Sequence, residues 1–113
     1  MSHEAAAGHL ALDIVRDGNV AVVQCHGKLV AGVTEVLYAE VSQLIPDSKR
    51  IVLDLTDLTH MDSMGVGTLV RLYVSTKSAG CDLELINLGQ RIRQLLGVTN
   101  LLSIFTAIGG NAW

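Results

Sequence analysis

Asp62 and Ser63 carry the simplest chemistry available to this chain. They stand in Met61-Asp62-Ser63-Met64-Gly65-Val66-Gly67, after an alternating apolar strand and at the start of a helical pattern. A hydroxyl at the positive end of a helix suits a phosphate, because the free N–H groups of the first turn and the macrodipole both favour negative charge. Ser63 is therefore a candidate for reversible phosphorylation. A plainer role is also open: either residue could be an N-cap, worth about 1 kcal/mol to the helix.

Enzymatic readings of the same residues fit less well. A nucleophile elbow needs Gly-x-Ser-x-Gly, and Met61 stands where the first glycine belongs. That fold also places its histidine after the serine, whereas His3, His9, His26 and His60 all precede Ser63. Gly65 and Gly67 supply two glycines of a dinucleotide fingerprint, but Val70 occupies the third position. No Gly-Lys-Ser/Thr phosphate loop is present. His60 and Asp62 are near enough to Ser63 in sequence for a small acid–base site, but His60 reads better as a loop histidine facing water or capping backbone. Gly65 and Gly67 each cost a helix about 1 kcal/mol relative to alanine. Something therefore packs closely against them, either the neighbouring strand or a partner's surface.

The elements that position these residues follow from periodicity. Leu10 to Val15 alternates as a strand, Asp17-Gly18-Asn19 is a turn, and Val20 to His26 is a second strand, so the two form a hairpin. Gly27 breaks the second strand, and Lys28-Leu29-Val30 resumes briefly. Val33, Val36, Leu37, Val41, Leu44 and Ile45 have helical spacing, stopped by Pro46. A strand over 51–56 puts Ile51, Leu53 and Leu55 on one face, and a short polar loop then leads to Ser63. The next helix covers 63–79, with Val66, Leu69, Val70, Tyr73 and Val74 inward and Thr68, Arg71, Ser75 and Ser78 outward. Gly80 ends it, a strand follows over 83–87, and a third helix spans 90–96. Residues 101–108 read as a short helix or a last strand. Strands alternating with helices give an α/β unit with parallel pairing, and the early hairpin makes the sheet mixed.

Composition bounds the rest. The 113 residues make one domain, half of them apolar, with only four aromatics, so the core is aliphatic. A net charge of −3 and no basic stripe argue against nucleic-acid binding. Cys25 and Cys81 lack metal spacing, and Cys25 reads as a small buried hydrophobe. The first residues lack the pattern of a signal peptide, and no run reaches membrane-spanning length. A cytoplasmic protein with no cofactor, no metal and no membrane insertion is expected.

The run Asp54-Leu55-Thr56 followed by Met61-Asp62-Ser63-Met64-Gly65-Val66-Gly67 resembles the STAS domain of bacterial anti-sigma factor antagonists. Gly27-Lys28-Leu29 is similar to that family's Gly-x-Leu turn before its first helix. Gly80 with Leu83-Glu84-Leu85-Ile86-Asn87 resembles its next turn and strand, and Ile92-Arg93-Gln94-Leu95-Leu96 through Ile104-Phe105 its closing helix and tail. The likeness covers residues 10–106, leaving 1–9 and 107–113 as expected flexible termini. It implies a single α/β domain, with a four- to five-stranded mixed sheet and helices largely on one face.

The resemblance also implies a role in partner switching. The unmodified protein binds an anti-sigma factor that is a serine kinase with a GHKL-type ATP site, and this frees the sigma factor. Phosphorylation of the serine dissociates the complex, and a PP2C-like phosphatase resets it. The matching phosphoacceptor is Ser63. The implied partner-binding set is Asp62, Ser63, Met64, Gly65 and His60 with Gly27, Leu29 and Val30. Val30 stands where many members carry an acidic residue, which removes a polar contact near the expected interface. The alternative within the same resemblance is a constitutive STAS subunit or scaffold of another complex, such as a lipid-transport ATPase. A small hydrolase or nucleotide-binding enzyme built on Ser63, His60 and Asp62 is the remaining rival.

Overall fold

The early hairpin forms as its turn residues dictate. In a computed structural model, which describes residues 2–3 and 10–98, the chain reverses through Gly18 (φ 62°) and Asn19. Strand β2 (Leu10–Asp17) thereby pairs antiparallel with β3 (Val20–Leu29), Asp17 opposite Val20. Strand β1 (Ser2–His3) pairs antiparallel with β2, opposite Asp13 and Leu12. From β3 the chain crosses through helix α1 (Thr34–Leu44) to β4 (Arg50–Met61), then through helix α2 (Ser63–Ser78) to β5 (Asp82–Ile86). Both crossovers return parallel, giving one mixed five-stranded sheet in the order β1-β2-β3-β4-β5. Helix α3 (Gln90–Val98) follows. Residues 101–108 and the expected flexible stretch 107–113 lie outside the described residues, as does the expected flexible stretch 1–9 apart from Ser2 and His3, which form β1.

The three described α-helices pack on one face of the sheet. The in-register rows Leu12–Cys25, Ala21–Ile51–Leu83 and Val23–Leu53–Leu85 turn toward them. They close one core with Leu37 and Val41 of α1, Leu69 and Leu72 of α2, and Ile92 and Leu96 of α3. Among the described residues, the fully buried large side chains are all leucine or isoleucine, each contributing about 1.5–3 kcal/mol of transfer energy. The core is aliphatic as composition implied, with Tyr38 and Tyr73 at its margin. Pro46 ends α1 at Leu44 and the chain tightens into a 3-10 turn over Ile45–Asp47. The opposite sheet face carries Asp13, Val22, Gln24, His26, Val52, Asp54 and Glu84, and none of the described helices lies on it.

Two expectations about strand length are corrected. Gly27 does not break the second strand, which takes in the expected resumption at Lys28 and Leu29 without interruption, and the segment expected as a polar loop, 57–61, is the distal half of β4. Two bulges hide this half. Gln24 opposes Asp54 but His26 opposes Asp57, and Gly27 opposes Leu58 but Lys28 opposes His60. Each extra residue in β4 reverses which face its side chains occupy. The inward series is therefore Ile51, Leu53, Leu55, then Leu58, then Met61, three apart instead of two.

Candidate functional site

The two bulges deliver the end of β4 to the mouth between β3 and α2, and there Asp62 becomes the N-cap. Its extended backbone (φ −109°, ψ −173°) breaks the strand, and its Oδ1 accepts from the Gly65 amide at 3.0 Å. Its Oδ2 accepts from the Ala31 amide at 2.9 Å, beyond the end of β3. One carboxylate thus holds the first turn of α2 and the chain leaving β3. The Ala31 amide is the main influence on its ionisation. Slight burial opposes that influence, the Gly65 and Met64 amides add to it, and the carboxyl is held below the usual carboxylate range.

Ser63 is the first helical residue and is exposed, as is Met64 beside it at 56%. The expectation that the helix end stands free to receive a phosphate changes here. The amides of that turn already face Asp62, so a phosphoryl group on Ser63 would add its charge next to an ionised carboxylate.

Gly65 and Gly67, alike in sequence, differ in space. A Cβ on Gly65 would overlap the Leu29 carbonyl oxygen and stand 2.7 Å from Met61 Cγ. The strand explains Gly65, since α2 starts against the end of β3 with no room for a side chain. A Cβ on Gly67 would meet nothing within 4 Å, on the outer side of the helix. Leu29 is fully buried beneath this turn, and Val30 is half-buried against the core with its carbonyl accepting from the Val33 amide. Gly27 adopts φ 104°, and its carbonyl accepts from Thr59 Oγ1 at 3.0 Å. The structure therefore brings Asp62, Ser63, Met64, Gly65, Leu29 and Val30 to one end of the domain. His60 is exposed on β4 opposite Lys28, its Nδ1 bonded to Thr59 Oγ1 at 3.0 Å. Both Asp62 oxygens accept from backbone amides and His60 Nδ1 is bonded to Thr59, so Ser63, His60 and Asp62 are not joined in a triad. Among the described residues, no group of three or more His, Cys, Asp or Glu is placed to hold a metal ion.

The outward stripe of α2 runs Met64, Gly67, Arg71, Val74 and Ser78, which corrects the expected faces. Thr68 is buried with its hydroxyl on the Met64 carbonyl (3.0 Å), whereas Val74 is 56% exposed. Arg71 reaches across to α1, bonding Glu35 at 2.9 Å and lying 3.9 Å over the Tyr38 ring. Tyr38 in turn bonds Ser75 at 3.2 Å.

A family model described as the STAS domain matches residues 11–110. The chain belongs to the STAS domain family. It is 28% identical over 93 residues to the anti-sigma-B factor antagonist of Bacillus subtilis (strain 168), covering 82% of this chain and 85% of that one. Its fold is similar to that of the anti-sigma factor antagonist SpoIIAA in its unphosphorylated form. The TM-score is 0.71 at 18% identity, over 90% of this STAS domain and 99% of that chain. The Bacillus cell fate determinant SpoIIAA in its phosphorylated form matches with a TM-score of 0.67 at 20% identity, over 81% and 86% of the two chains. Among the described residues, no helix is long and apolar enough to cross a membrane.

Sequence reasoning assigned Ser63 and Asp62 jointly to the helix start, and the geometry divides the work: Asp62 caps and Ser63 is presented. The Ala31 amide went unnoticed because a backbone donor carries no sequence signature. The contact of His26 with Asp57 was missed because the first bulge lies between β3 and β4, and that with Asp13 because it runs diagonally across the hairpin, where Asp13 is paired with Gln24.

Proposed function

We propose that this STAS domain is an anti-sigma factor antagonist that works by partner switching, with Ser63 as its phosphoacceptor. The observation that carries the reading is the exposed Ser63 hydroxyl beside a carboxylate held ionised by backbone amides, with exposed Met64 at its side. Phosphorylation adds about −1.5 to −2 charge. At Ser63 that charge opposes docking of a partner through repulsion from Asp62 and through the cost of desolvating the phosphate. Because Asp62 already completes the helix cap, the modification needs no rearrangement of the fold. Switching is local, and the surface at the ends of β3 and β4 and the start of α2 changes from dockable to doubly charged. The names of the relatives support the same reading, since one is an anti-sigma-B factor antagonist and SpoIIAA is described in both forms.

In this reading the protein is a regulator and not an enzyme. The ATP site belongs to its partner, an anti-sigma factor serine kinase of GHKL type, and a PP2C-like phosphatase restores the hydroxyl. Its place of action is the cytoplasm, where sigma factors meet polymerase. Peptide mass spectrometry on protein isolated from its native cells, with phosphatases inhibited, is expected to find the phosphoryl group on Ser63. Ser63→Asp is expected to lose binding to the cognate anti-sigma factor while keeping the wild-type circular dichroism spectrum. Undiminished binding by that variant overturns the switch.

A further inference from the structure

On the sheet face opposite the described helices, His26 is held between two carboxylates. Its Nε2 lies 2.9 Å from Asp13 Oδ2 on β2, and its Nδ1 lies 2.9 Å from Asp57 Oδ2 on β4. A carboxylate oxygen only accepts, so both contacts are hydrogen bonds only when both ring nitrogens carry protons. A neutral imidazole has one donor and one lone pair, and the lone pair then faces a carboxylate. The bridge across three strands is therefore complete only in the imidazolium form.

The two carboxylates are not equally placed. Asp13 sits within the hairpin register, with a side chain about one-third exposed (33%), whereas Asp57 is 61% exposed. Pairing with β5 ends at Asp54, opposite Ile86, so beyond that point β3 is the one described strand paired with β4, while Leu58 and Met61 face the core. Asp57 stands immediately after the first bulge in this one-sided stretch, five residues before the Asp62 cap. Of the two contacts, the one to Asp57 is the easier to release.

We propose that His26 is a protonation-controlled positioning residue for the distal half of β4. As imidazolium it ties Asp57 to Asp13 and holds residues 57–61 on β3. When its proton passes to solvent, it keeps Asp13 and lets Asp57 go. The segment that delivers Asp62 and Ser63 then loosens. The charged and titratable groups around the ring are Asp13 on β2, Asp57 and Asp54 on β4, Lys28 on its own strand, and His60 opposite Lys28. The proposal does not depend on the chemistry of Ser63 or on any partner, and its readouts involve neither.

The test follows the ring and the backbone of the full chain together by NMR. Ring nitrogen shifts of His26 and amide exchange protection at residues 58–61, corrected for intrinsic rates, are recorded across the histidine titration range. Protection at 58–61 is expected to fall about fivefold as the ring loses its proton, the size of one solvent-screened charged hydrogen bond. His26→Gln, which offers a single donor nitrogen that cannot face both carboxylates, is expected to show low protection with no pH dependence. Asp57→Asn is expected to lose the dependence while its His26 ring still senses Asp13. Protection that ignores the ring's protonation in the wild type overturns the proposal. So does a dependence that survives His26→Gln and disappears in His60→Gln. If His26→Gln does not fold, the wild-type ring and amide titrations decide alone: midpoints that coincide support the clamp, and midpoints that differ overturn it.

Discussion

Gly65 is pressed against the backbone carbonyl of Leu29, so closely that any Cβ would overlap that oxygen. The helix that presents Ser63 is thus docked on its strand through backbone at its first turn. Gly65→Ala must push α2 away from β3 or distort the end of β3, a cost of about 1–3 kcal/mol for overpacking. Gly67→Ala, two residues on, meets nothing and replaces a poor helix former, for a gain of about 0.5–1 kcal/mol. Urea unfolding of the two variants should therefore move the midpoint in opposite directions. Equal shifts would mean that the first turn of α2 does not bear on Leu29.

Asp62 joins two chain segments with one carboxylate, and its two oxygens can be separated by mutation. Asp62→Asn keeps one acceptor and loses the other, for about 1 kcal/mol. Asp62→Ala loses both, for about 2 kcal/mol. The pH dependence has a definite sign. The Ala31 amide, followed by those of Gly65 and Met64, holds the folded-state carboxyl below its ordinary value of 3.8. A depressed carboxyl contributes stability that is present above the unfolded value and lost as pH falls through the folded one. The stability gap between wild type and Asp62→Asn should therefore be full near neutrality and close as pH drops below 3.8. Chemical denaturation at a series of acidic pH values reads this directly.

Both cysteines should be silent in the native protein. Burial pushes the Cys25 thiol up to about 12, with the Asp54 charge adding to the effect. Burial, then the charge of Asp82, raises Cys81 as well. At pH 8 a thiol at about 12 is roughly one ten-thousandth thiolate, the form that reacts. Iodoacetamide should leave Cys25 unmodified in the folded chain and label both residues in urea. Rapid native labelling of Cys25 would show that β3 opens far more easily than its pairing with β2 and β4 implies.

How much of this was legible in the residues depends on what interrupts each period. The hairpin, both crossovers and the helix start at Ser63 follow from alternation, Pro46 and the Asp-Gly turn. The distal half of β4 did not, because two bulges turn a spacing of two into a spacing of three, and Leu58 and Met61, following Leu55 at that spacing, then look like a loop. The inward face of α2 was misplaced for a different reason. Thr68 and Thr76 are buried with their hydroxyls on the helix's own carbonyls at Met64 and Tyr73, so polar residues sit where apolar ones were sought. Leu72, fully buried, then fell outside the expected stripe. At the site, residue types located Asp62, Ser63 and Gly65. The division of labour among them needed the Ala31 amide and the Leu29 carbonyl, which no residue type announces.

Asn87 tests the last link between sheet strands on the side facing away from the helices. It is the one described non-glycine residue with a positive φ, at 58°, and its Nδ2 donates to Asp54 Oδ1 at 3.1 Å. The same oxygen accepts from the Thr56 amide at 3.0 Å and the Thr56 hydroxyl at 2.6 Å. Burial disfavours ionisation of Asp54, but the Thr56 hydroxyl, the Asn87 amide, the Thr56 backbone and Gln24 together outweigh it and lower its titration. Two costs are combined at Asn87, and two variants separate them. Asn87→Gly relieves the left-handed backbone and loses only the bond to Asp54, about 1 kcal/mol. Asn87→Ala loses the bond and keeps the strained backbone, so it should be less stable than Asn87→Gly by about a further 1 kcal/mol. In an Asp54→Asn background the cost of Asn87→Gly should shrink, because the charged acceptor is gone while the backbone contribution is untouched. Thermal and urea unfolding of this cycle would assign the turn after β5 either to the carboxylate of β4 or to its own backbone. An unchanged cost in the Asp54→Asn background would favour the backbone.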